Sequence, residues 1–131
     1  DLYIYYNPNP LHKSTIDCTV RAFARLFDFD WDTAFIVLMM ESYDQKSLPS
    51  SDKVWGDYLK DNGFVQHMLP FTCPECYTVR QFADEHPVGR YLLKTSEHVV
   101  AVVDGDYYDS FDTGDEVPIY YFERSSDHAG L

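Results

Sequence analysis

Cys18, His98 and Asp109 are the residues whose types and spacing fit nucleophilic chemistry. Cys18 falls in the first turn of a predicted helix, where the positive end of the macrodipole favours thiolate over thiol. A nucleophilic cysteine also needs a base, and the base needs a group that fixes its ring. His98 opens a strand-like run after the polar Thr95-Ser96-Glu97. If Asp104-Gly105 is a two-residue turn, Val103 pairs with Asp106 and His98 lies opposite Phe111. Asp109 then shares the face of His98, and diagonal hairpin neighbours sit roughly 7–8 Å apart at Cα. Asp112 points to the other face, and a three-residue loop would exchange the two acids. Taken alone, Cys18 also reads as a small buried hydrophobe on a helix.

The elements around these residues follow from periodicity. Apolar Val20, Ala22, Phe23, Leu26 and Phe27 recur at helical spacing between Thr15 and Phe27, with Thr15 or Asp17 as cap. A second helix is predicted over Trp31 to Tyr43 behind Asp30, apolar nearly all round and so expected to be central. A third starts at Ser51, carries Val54, Trp55, Tyr58 and Leu59, and stops at Asn62-Gly63. Phe64 to Leu69 reads as a strand. Thr78 to Gln81 reads as a capping box opening a short helix that Pro87 ends. Strand-like runs follow at Arg90 to Lys94, His98 to Val103, Asp106 to Phe111 and Val117 to Phe122. Helices first and antiparallel strands second is an α+β order.

Cys73-Pro74-Glu75-Cys76 is a CxxC without the second pair a structural zinc needs, and Thr78, downstream, is the better helix cap. It reads as two solvent-accessible loop thiols or as a site completed by another chain, a metal-binding interaction domain on Cys73 and Cys76 being the weaker rival, and no metal or cofactor is expected. The eleven Tyr and nine Phe suit a core and half-buried strands. The acidic stretch Asp104 to Glu116 reads as a solvated hairpin face lacking calcium-loop spacing. Gly114-Asp115-Glu116 reads as the turn into the last strand. His128 sits in a polar tail, Ser125 to Leu131.

Composition narrows the classes. The chain has 131 residues, enough for a single domain over 1–131, and 45% hydrophobic content is too rich for disorder. A formal net charge of −12 argues against nucleic acid or an anionic membrane as partner. The longest wholly apolar run, Ala34 to Met40, cannot span a bilayer. Three cysteines, an odd number, argue against a disulfide framework and for a reducing compartment. A soluble, cytoplasmic protein is the expectation. The chain opens on Asp1 rather than Met, which leaves room for an upstream segment.

Asp17-Cys18-Thr19-Val20-Arg21-Ala22, His98-Val99-Val100-Ala101-Val102 and Asp109-Ser110-Phe111 together resemble the papain-like cysteine peptidase superfamily. The last motif is similar to the Asn-Ser-Trp of papain-type enzymes, with Asp for Asn and Phe for Trp. The pattern looks closest to small bacterial or phage-encoded members and covers about Tyr5 to Phe122. The resemblance implies an α+β fold with the cysteine heading a helix packed on a C-terminal antiparallel sheet. It implies Cys18 as nucleophile, His98 as base then acid, and Asp109 as orienting acid. The oxyanion hole would use the Cys18 N–H and a side-chain donor from the preceding loop. His12 stands six residues before the cysteine, where the family has Gln; Asn7, Asn9 and Ser14 are further donors. The Cys-Gly-Ser-Cys-Trp signature is absent. The implied activity is hydrolysis of a peptide or isopeptide amide through an acyl-enzyme, on a peptide or protein substrate. An inactive papain-fold binding module and an acyltransferase or transglutaminase are the alternatives.

Overall fold

The computed structural model describes residues 2–125, so His128 and the tail expected beyond residue 125 lie outside the described residues. In chain order the elements are β1 (Tyr3–Tyr5), α1 (Cys18–Phe27), α2 (Trp31–Gln45), α3 (Asp52–Asp61), β2 (Phe64–Met68), α4 (Val79–Glu85), β3 (Arg90–Lys94), β4 (Val99–Val103), β5 (Asp106–Asp109) and β6 (Tyr120–Arg124). The strands form one sheet in the order β1-β5-β4-β3-β6-β2. The architecture is α+β.

The sheet separates two cores. Alternate residues of its central strands face α1, α2 and α3: Leu92, Val99, Ala101, Val103 and Phe122 pack with Phe23, Leu26, Leu38, Trp55 and Leu59. Leu93, Val100, Val102 and Tyr107 face the other way, onto Val79, Phe82 and Ala83 of α4. β4 is buried along its whole length, which explains its unbroken Val-Val-Ala-Val-Val run. Each large side chain fully buried here stabilises by roughly 1.5–3 kcal/mol.

The hairpin forms with the expected parity. Asp104 and Gly105 both have positive φ, and Val103 pairs with Asp106. The α4 capping box is present in both directions between Thr78 and Gln81. α3 stops at Asn62, followed by Gly63 at φ 88°.

Three expectations are corrected. The sheet is mixed and not wholly C-terminal: β1 pairs in parallel with β5, and β2 comes from the middle of the chain. The helix expected to be central, α2, lies at the surface and buries only Ala34, Leu38 and Ser42. Its Ile36, Met40 and Tyr43 are exposed, because one stripe alone meets α1 and α3. Within the stretch read as a solvated acidic face, Asp109 and Thr113 are buried.

Candidate active site

Cys18 is the first residue of α1 and is half-buried. Asp17 stands at the N-cap, yet its carboxylate makes no capping bond. It accepts instead from Arg21 Nη1 at 2.7 Å and from Trp31 Nε1 at 2.9 Å. The first amides of α1 are therefore left without that carboxylate, and Cys18 and Thr19 both line a cleft.

His98 sits at the end of the tight β3–β4 connection, just before β4. Its carbonyl accepts from the Thr95 N–H at 2.9 Å, and its ring leans on Phe111 at 5.4 Å between centroids. Nε2 lies 2.6 Å from Asp109 Oδ2. Nδ1 is then the ring nitrogen left to the Cys18 thiol, with which His98 shares a hydrogen bond.

Asp109 ends β5, and its side chain is 1% exposed. Oδ1 accepts from Arg21 Nε at 3.1 Å, Arg21 Nη2 at 3.0 Å and the Ser110 N–H at 2.8 Å. Oδ2 accepts from the Thr113 hydroxyl at 3.0 Å besides the His98 ring. The backbone is held as firmly: the Asp109 carbonyl accepts from the Tyr6 N–H at 2.8 Å and the Tyr3 hydroxyl at 3.2 Å. The strand β1, which periodicity missed, thus secures the acid of the site.

Electrostatics favour an ion pair. Burial pushes the Cys18 thiol up, but the hydrogen bond from His98, the Val99 amide, and the charges of His98 and Arg21 outweigh it, leaving it lowered. Burial disfavours a charged His98, yet the bonds to Asp109 and Cys18 win and push it up to about 9. Both shifts favour the thiolate–imidazolium form over the neutral pair.

The structure brings Cys18, His98 and Asp109 together. Asp112 goes elsewhere, accepting from the Tyr107 hydroxyl and the Gly114 N–H. Neither His12 nor Asn7 lines the cleft beside Cys18. The Asn7 amide donates to the Lys13 carbonyl at 3.3 Å, and His12 is an exposed turn residue at φ 55°. Asn9 is buried, its side-chain oxygen accepting from the Leu11 N–H, and Ser14 is exposed. Besides Cys18 and His98, the side chains with donors that do line the cleft are Thr19, Ser50, Trp55 and Lys94. Sequence reasoning missed Arg21, Thr113 and the inward use of Asp17. A basic residue three positions after the cysteine, with an acid four before it, is the only signal they leave.

Two clefts meet at His98. One, of about 320 Å³, holds Cys18 and is walled by Ile16, Phe35, Met39 and Trp55. The other, of about 810 Å³, runs from Glu97 and His98 to Phe71, Cys73 and Ile119. Cys73 and Cys76 are disulfide-bonded, which corrects the expectation of two loop thiols. An odd cysteine count excludes full pairing but not one local bridge, and here it leaves Cys18 as the free thiol. Among the described residues, no group of three or more His, Cys, Asp or Glu could hold a metal ion, and no helix is long and apolar enough to cross a membrane.

The chain matches no family model, no curated protein and no solved structure.

Proposed function

We propose that this chain is a thiol-dependent hydrolase of papain-like architecture that cleaves a peptide or isopeptide-type amide. The observation that carries the reading is the position of His98, bonded to a buried carboxylate on one side and to a helix-start cysteine on the other. The Cys18 thiolate attacks the amide carbonyl carbon, and the amides at the head of α1 receive the developing oxyanion. The His98 imidazolium passes its proton to the leaving amine as the C–N bond breaks, giving a thioester acyl-enzyme. Neutral His98 then takes a proton from water as the hydroxide adds to the thioester, the C–S bond breaks to release the acid, and the Cys18 thiolate and His98 imidazolium are restored. Asp109 keeps its charge throughout and holds the ring. The two clefts on either side of His98 leave room for chain on both sides of the scissile bond. Transfer of the acyl group to an amine would use the same intermediate, so the acceptor is the part of this reading a substrate screen must fix.

Iodoacetamide labelling of the unreduced protein, followed by peptide mass spectrometry from pH 4 to 9, tests the pair with Cys18 as the free thiol. Cys18 is expected to label at pH 5–6, and His98→Ala to slow that labelling by about 10²-fold, a general-base-sized effect. Labelling that rises only near an ordinary ~8.5, with no response to His98→Ala, refutes the catalytic reading and leaves a binding module.

A further inference from the structure

We propose that Arg21, clamped by Asp17, is a positioning residue that fixes the plane of the Asp109 carboxylate and, through it, the ring of His98. This inference rests on the hydrolase reading for its purpose, but its test does not depend on turnover.

The geometry is that of a fork locked at both ends. Nε and Nη2 of Arg21 both reach Asp109 Oδ1, at 3.1 and 3.0 Å, while Nη1 reaches Asp17 Oδ1 at 2.7 Å. The guanidinium is planar, so satisfying both carboxylates leaves it one orientation. Asp17 is in turn held by the Trp31 indole at 2.9 Å, which ties the start of α2 to the same chain of bonds. With Oδ1 of Asp109 occupied by Arg21 and the Ser110 amide, Oδ2 is left to Thr113 and His98.

Stability alone is a poor reason for this arrangement. The side chains of Asp17, Arg21 and Asp109 are 5%, 5% and 1% exposed, and burying such charges costs about as much as their attraction returns. Apolar residues of similar volume would hold α1 to the sheet as well. What they could not do is hold a carboxylate edge-on to an imidazole.

The charged and titratable groups around the pair are Cys18, Asp17 and Arg21 from α1, Tyr3 from β1, and Glu97 beside His98. Glu116 reaches it through Thr95, which bonds the His98 carbonyl, and Asp112 acts on Tyr3. Replacing Arg21 by a residue of equal charge keeps this field and removes only the fork.

Arg21→Lys is therefore the deciding variant, read by NMR titration of the His98 ring and by a thermal melt. In the parent the ring is expected to titrate near 9. In Arg21→Lys the midpoint is expected to fall by about one pH unit or more, toward that of Asp109→Asn, as the oriented bond loosens. A midpoint that stays in place, or rises, in a folded Arg21→Lys chain overturns the proposal and leaves Arg21 a structural or purely electrostatic partner. If Arg21→Lys does not fold, Trp31→Phe decides: it removes one bond to Asp17, and the midpoint must fall by a smaller amount in the same direction. Failure of the hydrolase reading looks different. It gives an unreactive Cys18 in the parent chain, whatever the His98 midpoint does on substitution.

Discussion

Two aspartates, Asp17 and Asp30, head α1 and α2 and use the same side chain in opposite ways. Asp30 caps its helix, accepting the Thr33 N–H at 2.8 Å. Asp17 forgoes that bond and turns its carboxylate inward to Arg21 and Trp31. The helices differ accordingly. α1 has ten residues and buries half of them, an arginine included. α2 has fifteen, buries three, and leaves Ile36 and Met40 in the open. A helix that only needs to form is capped and tolerates a loose outer face. The helix that carries the thiol gives up its cap and commits the carboxylate to holding other side chains in place.

Substitutions that should separate the two helices run from severe to negligible. Asp17→Ala leaves Arg21 buried with one carboxylate fewer, and urea unfolding should register a loss of about 3 kcal/mol or more. A loss below about 1 kcal/mol would mean that Asp17 is no more than a failed cap. Asp30→Ala should cost about 1 kcal/mol, the usual value of a cap, with Cys18 labelling at pH 6 unchanged. If Asp30→Ala slowed Cys18 labelling, the division between the helices would not hold. Met40→Ser, at 62% exposure, should fall within about 0.5 kcal/mol of the parent by the same measurement. A larger loss would mean that the outer face of α2 is covered in solution.

Much of the site could be read from the chain because the signals were local. Asp104-Gly105 dictates a two-residue turn, the turn dictates parity, and parity puts Asp109 with His98. Thr78 and Gln81 state their helix start in four residues. What escaped depends on partners far away in sequence. β1 is three residues long and pairs in parallel across the whole chain, so no turn announces it. Nothing local to Arg21 states that Asp17 and Asp109 will close on it. The apolarity of α2 counts hydrophobic residues and cannot say how many neighbours the fold will supply. The loop donors failed for the same reason: nothing near Asn7 or His12 states where the loop before α1 will run.

The bond between Arg21 and Asp109 joins residues 88 positions apart. During synthesis, at about 5–20 residues per second, the arginine is added roughly 4 to 18 s before the aspartate exists. Through that interval Cys18 has neither its imidazole partner in place nor the carboxylate behind it. The site around Cys18 is assembled only when the last third of the chain has been made and folded back.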